Sequence, residues 1–152
     1  MKTHFKIYLH FILMVEHPEL AIPCACKHQL HEFIRKQVEH RKSELLAINC
    51  MPDHLHLFVS LRPVVTVNDF IQKIKAESTE YINAQRWIAR KFVWADGYGC
   101  FSYSHSHLER VSNYISNQER HHLIRGFADE YEDFLRKYRI VIEEQKNLAH
   151  NG

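Results

Sequence analysis

His54-Leu55-His56 is the part of this sequence best placed to do chemistry. It lies in MPDHLHLFVS, residues 51–60, which reads as a β-strand. Side chains along a strand alternate between faces, so the two imidazoles share one face about 7 Å apart at Cα. Leu55 and Leu57 point the other way, toward a helix-covered core. Imidazole is a frequent metal ligand, and two of them on one exposed sheet face can converge on a single ion. The chain has 13 histidines, so two ordinary surface histidines would explain the same pattern. A third ligand from elsewhere would decide between the two readings.

The elements that must position this pair can be read from periodicity and punctuation. Residues 3–14 are β-branched, aromatic and apolar, which predicts a first strand, and His17-Pro18 ends it. Leu30, Phe33, Ile34 and Val38 recur at helical spacing, which predicts a helix over about 22–40. Residues 43–50 and 54–61 form strands two and three, joined by a turn at Pro52-Asp53. Thr66 followed by Asp69 caps a helix to about residue 83, with Phe70, Ile71, Ile74, Tyr81 and Ile82 as its apolar stripe. A fourth strand is expected around 101–104, a third helix over 108–122 and a short fourth over 129–139. The order β-α-β-β-α-β makes the fold class α+β, a ferredoxin-like split βαβ arrangement. Its antiparallel sheet carries helices on one face, and the helix at 108–122 is added toward the C-terminus.

Composition narrows the function classes. With 152 residues, four glycines and four prolines, the chain is expected to form one domain over 1–152, its tail from about 141 mobile. A net charge of +2 excludes a polycationic surface, so nucleic acid would need a local basic patch. No apolar run reaches the roughly 18 residues of a membrane span. His4, Lys6 and His10 interrupt the apolar N-terminus, which excludes a secretory signal. Cys24, Cys26, Cys50 and Cys100 have no framework or zinc spacing and read as reduced thiols, which points to the cytoplasm.

In LERVSNYISNQERHH, residues 108–122, Leu108, Val111 and Ile115 make the buried stripe, and Tyr114 and Gln118 lie four residues apart on its flank. Alone, that tyrosine is a half-buried boundary residue. With the histidine pair, it resembles the single-tyrosine HUH transposases of small insertion sequences and their relatives associated with extragenic palindromic repeats. Those proteins carry His-apolar-His on a central strand and Tyr-x-x-x-Gln on a later helix, as His54-Leu55-His56 and Tyr114 to Gln118 do here. The resemblance also takes in the block Trp94-Ala-Asp-Gly-Tyr-Gly-Cys-Phe-Ser, the Lys75-Ala-Glu-Ser-Thr stretch and the Gln-Glu-Arg-His-His run at 118–122. Two departures stand out. Val15-Glu16-His17-Pro18 replaces a basic cluster frequent in the family, and the second helix carries Glu77 and Glu80.

A tyrosine of pKa about 10 is a weak nucleophile unless a cation polarises the phosphate it attacks. The resemblance implies Tyr114 as nucleophile, with His54, His56 and Gln118 holding a divalent metal and Asp53 open as a further ligand. Neutral ligands suit Mn²⁺ better than Mg²⁺, and the resemblance implies that either serves. It also implies a single-stranded DNA substrate with a hairpin, a 5′-phosphotyrosine intermediate and a homodimer. Lys73, Lys75, Arg110 and Arg120 are the leading candidates for phosphate contacts, although a solvated helix face explains any one of them. Trp94, Tyr98, Phe101 and Tyr103 could stack on bases or pack the core. Three alternatives remain at this point: a domesticated repeat-DNA-binding protein, a water-using metallohydrolase and an RNA-binding module. His121 and His122 fit either a DNA groove or a solvated helix end.

Overall fold

Tyr8–Met14 alternates its side chains so that Leu9, Phe11 and Leu13 fall on one face of β1, and Tyr8, His10 and Ile12 on the other. The computed structural model describes residues 1–119 and 126–138. In it, β1 is followed by α1 (Lys27–His40), β2 (Glu44–Cys50), β3 (His54–Ser60), α2 (Val67–Gln85), β4 (Gly99–Tyr103), α3 (Leu108–Ser116) and α4 (Phe127–Lys137). The four strands form one antiparallel sheet in the order β2-β3-β1-β4, the ferredoxin-like split βαβ pattern expected. Among the described residues, no helix is long and apolar enough to cross a membrane.

The chain falls into two compact units, Met1–Ser116 and Asn117–Gly152. In the first, α1 and α2 cover one sheet face: Leu30, Ile34, Val38, Phe70, Ile71 and Ile74 pack against Phe11, Leu55, Leu57 and Val59. Against the other face lies α3, with Val111 and Ile115 packed on Tyr8 and Phe58. In the second unit, α4 has Asp129 and Glu130 in its first turn and Arg136 and Lys137 in its last, which complements the helix dipole.

Thr66 caps α2 as expected, its hydroxyl accepting the Asp69 amide at 3.0 Å. Several boundaries differ from expectation. The first strand begins at Tyr8 rather than Thr3, because β3 and β4 offer it partners only from Tyr8 onward. The first helix begins at Lys27, since Pro23 opens a separate 3-10 turn over Cys24–Cys26. Strand β4 starts at Gly99, two residues before expectation, just after Gly97 turns the chain with φ +80°. Glu77, one of the two departures from the family pattern, pairs with the Arg41 guanidinium and ties α2 to the end of α1.

The tyrosine helix is also shorter than expected. It ends at Ser116 with a turn at Asn117, instead of running to residue 122. Asn49 of β2 donates to the Ile115 carbonyl at 3.0 Å and lies 3.5 Å from that of Ser116, acceptors a continuing helix would use. Ser116 and Asn117 are themselves weak helix formers. Residues 120–122 and 139 onward of the expected helices, and the tail from 141, lie outside the described residues.

The join between α1 and β2 makes a pH-dependent contribution to stability. His31 accepts the Cys50 amide at 2.9 Å, which requires a neutral ring. Burial first, then the charges of Lys27, His28 and Arg35, lower its pKa from 6.5 to about 4. Between those values the unfolded chain binds more protons than the folded one, so stability falls as pH drops from 6.5 toward about 4. Denaturant titrations at pH 7 and pH 5 are expected to show this loss, about 1 kcal/mol after discounting for partial exposure. The increment should be missing in His31→Gln.

Candidate metal and nucleophile site

Every residue of β3 is buried. One flank of this central strand is β2 and the other is β1, so its histidines cannot reach the sheet edge. The face expected to be exposed is not: His54 and His56 are both 0% accessible. They share it as predicted, with ring centroids 5.0 Å apart and planes at 82°.

Each imidazole has its Nδ1 engaged by a neighbour. His54 Nδ1 lies 2.7 Å from Asp53 Oδ1, and His56 Nδ1 lies 2.7 Å from His10 Nε2. The His10 ring stacks on that of His56 at 5.0 Å and 27°, with Phe58, Phe101 and Tyr103 around it. Burial, followed by the proximity of His56, holds the His10 pKa well below the usual histidine range. A neutral His10 can accept a hydrogen from His56 Nδ1, leaving His56 Nε2 with the lone pair a cation needs. A partner on the far nitrogen of each imidazole is the usual support for metal-binding histidines. Two oriented, buried imidazoles, each with its Nδ1 engaged, therefore fit a divalent cation.

His10 was missed as a site residue in the sequence, where it figured only as a polar break in an apolar run. The signal available was a polar residue at an inward-facing position of YLHFILM. Its partner is visible only once β1 and β3 are in register, with His10 opposite Phe58 and diagonal to His56.

Tyr114 is half-buried on α3, its ring 6.1 Å from that of His56 and nearly perpendicular to it. The structure thus brings together His54, His56 and Tyr114. Gln118 lies beyond the turn at Asn117, so it does not share one continuous helix with Tyr114. It belongs to the second unit. Lys73 on α2 and Arg110 on α3 are both exposed, on helices that cover opposite faces of the sheet. Lys75 donates to the carbonyls of Ala95 (2.9 Å) and Gly97 (3.1 Å), pinning the loop before β4. Burial lowers its pKa. Arg120, His121 and His122 lie outside the described residues. Trp94 and Phe101 are core residues, the former donating to Ser78 Oγ at 3.0 Å, while Tyr98 and Tyr103 are half-buried.

A family model described as IS200-like transposase matches residues 3–118, a span that includes His54, His56, Tyr114 and Gln118. The ISDra2 transposase TnpA of Deinococcus radiodurans is 21% identical over 119 residues, covering 75% of this chain and 85% of that protein. A crystal structure described as a transposase from the same organism shares the fold with a TM-score of 0.60 at 22% identity, over 78% of this chain and 98% of that one. A REP-associated tyrosine transposase bound to a REP hairpin also has a TM-score of 0.60, at 15% identity, over 80% of this chain and 72% of that one. The family match covers most of the chain and the fold agrees, so this protein belongs to the IS200-like transposase family.

Proposed function

We propose that the protein nicks and rejoins single-stranded DNA at hairpin-marked ends through a covalent 5′-phosphotyrosine on Tyr114. The observation that carries this reading is the Tyr114 ring beside the supported imidazole pair of β3. His54 and His56 bind a divalent cation, Mg²⁺ or Mn²⁺, and Gln118 is the third ligand that the family resemblance implies. When bound, the cation polarises the scissile phosphate and offsets charge that develops during transfer. Tyr114 Oη forms a bond to phosphorus while the bond from phosphorus to O3′ breaks. The proton lost by the tyrosine is balanced by one gained at O3′, leaving a free 3′-hydroxyl. Attack by a 3′-hydroxyl reverses the step, and the retained phosphodiester energy makes ATP unnecessary.

Phosphate contacts fall to Lys73, Arg110 and Arg120. Lys75 acts there indirectly, by fixing the Gly97 loop, because its ammonium already binds two carbonyls. The working assembly in this reading is the homodimer that the resemblance implies. Four free thiols support a cytoplasmic location. The relative whose structure holds a REP hairpin supports a hairpin substrate.

The test is cleavage of a labelled single-stranded oligonucleotide, carrying a hairpin from the DNA flanking the gene, with and without Mn²⁺. The reading expects Mn²⁺-dependent nicking and a protein-linked band on a denaturing gel. Hairpin binding with no nicking at any metal concentration would favour a repeat-binding protein instead.

One consequence concerns His10. His10→Phe keeps the ring packed among Phe58, Phe101 and Tyr103 but removes the bond to His56. Mn²⁺ affinity, read by calorimetry, is expected to fall about 10–100-fold, while His10→Gln, which retains an acceptor, loses less.

A further inference from the structure

We propose that Asn49 is a positioning residue, locking the tyrosine helix to the strand that carries the histidines. The proposal rests on the reading of Tyr114 as nucleophile. Asn49 stands directly opposite His56 in the β2–β3 ladder, so its side chain projects from the same sheet face. From there its amide reaches the end of α3, donating to Ile115 O at 3.0 Å and lying 3.5 Å from Ser116 O. Those are the two residues after Tyr114. One side chain therefore ties the backbone beside the nucleophile to the backbone beside a metal ligand.

The orientation of the amide is determined by its partners. Lys27 Nζ, which can only donate, lies 3.0 Å from Oδ1, and the two carbonyls can only accept. Lys27 opens α1 on the opposite face of the sheet, and β2 is an edge strand, so the lysine reaches past that edge. Its charge polarises the amide and places a cation near the negative end of α3.

A merely structural asparagine would be a poor choice at this position. Asn disfavours strands and costs free energy when buried without partners, yet Asn49 is 4% exposed in a strand that otherwise reads ELLAIxC. Capping the last carbonyls of α3 satisfies the amide where the helix ends at Ser116. Tyr114 thus sits on a short segment fixed at its C-terminal end, and a displacement of about 1 Å at such a group can cost about 10²-fold in rate.

The experiment compares wild type, Asn49→Asp and Asn49→Ala with the hairpin oligonucleotide and Mn²⁺ at saturating concentrations, with Tyr114→Phe alongside. Asn49→Asp keeps size and the lysine partner but turns an acceptor toward two carbonyls. The rate of covalent adduct formation is expected to fall about 10²-fold in both Asn49 variants. Mn²⁺ and oligonucleotide affinities should stay within about threefold of wild type, because the role assigned to Asn49 is to hold α3 and not either ligand. Amide hydrogen exchange should show about tenfold less protection at the C-terminal turn of α3. Lys27→Met is expected to give a smaller fall in the same rate, and it carries the test if both Asn49 variants fail to fold. Wild-type rates in variants whose Tyr114→Phe counterpart is inactive would overturn the proposal alone. So would an equal loss of Mn²⁺ affinity, which would mark Asn49 as general support for the sheet. Full activity in Tyr114→Phe would instead remove the nucleophile reading, and the proposal with it.

Discussion

Tyr114→Phe is expected to abolish the covalent protein–DNA adduct and to lower hairpin cleavage by about 10³-fold or more. The substitution removes one hydroxyl and keeps the ring. Tyr114 is half-buried, so the phenyl group retains its perpendicular contact with His56 and its place beside Phe58 and Ile115. Stability should change by no more than about 1.5 kcal/mol, the upper end of what one hydroxyl's hydrogen bond contributes. Mn²⁺ affinity should be unaltered, because the imidazoles and their Nδ1 partners are untouched. Loss of adduct with retained fold and metal binding would isolate the nucleophile. A metallohydrolase that activates water would behave differently, with cleavage surviving and no covalent band formed by wild type.

The second large effect is expected from His56→Ala. His56 lies at the centre of the site, bonded to His10 on one side and facing His54 and Tyr114 on the others. Removing it deletes one of the two imidazoles proposed to hold the cation. The loss of Mn²⁺ affinity should therefore exceed the roughly 10–100-fold that removal of an outer partner costs. Cleavage should fall with it and should not be recovered by raising Mn²⁺ within the millimolar range. The variant also removes a buried hydrogen bond with His10, which costs about 1–3 kcal/mol, so thermal unfolding must accompany the calorimetry. His54→Ala should weaken Mn²⁺ in the same way with less effect on the fold, because its partner Asp53 has a side chain that is 62% exposed and can turn to water.

Much of this arrangement was legible in the sequence because it depends on short-range pattern. Alternation placed His54 and His56 on one face of β3 and Leu55 and Leu57 on the other, where they enter the helix-covered core. The Thr66 cap, the stripe of α2 and the order of strands and helices along the chain followed from spacing and punctuation. What could not be read depends on contacts between distant segments. His10 becomes a partner of His56 only through the β1–β3 register, 46 positions away in sequence. The break after Ser116 interrupts a clean helical spacing from Tyr114 to Gln118, and Asn49, 66 positions before Ile115, meets the chain there by donating to the Ile115 carbonyl. Burial of the histidine face was hidden for a similar reason, since the helix packed on it comes from the far end of the first unit. What charge alone leaves out is visible at Lys75, whose ammonium donates to two backbone carbonyls.

A covalent bond between Tyr114 and a DNA 5′-phosphate is detectable by mass spectrometry of the trapped adduct. Wild-type protein would be reacted with the hairpin oligonucleotide and Mn²⁺, then digested with nuclease and trypsin. The peptide VSNYISNQER, residues 111–120, is expected to carry a nucleotide-phosphate mass that fragmentation assigns to Tyr114. A nucleotide on any other residue, or cleaved DNA bearing a free 5′-phosphate with this peptide unmodified, would contradict it.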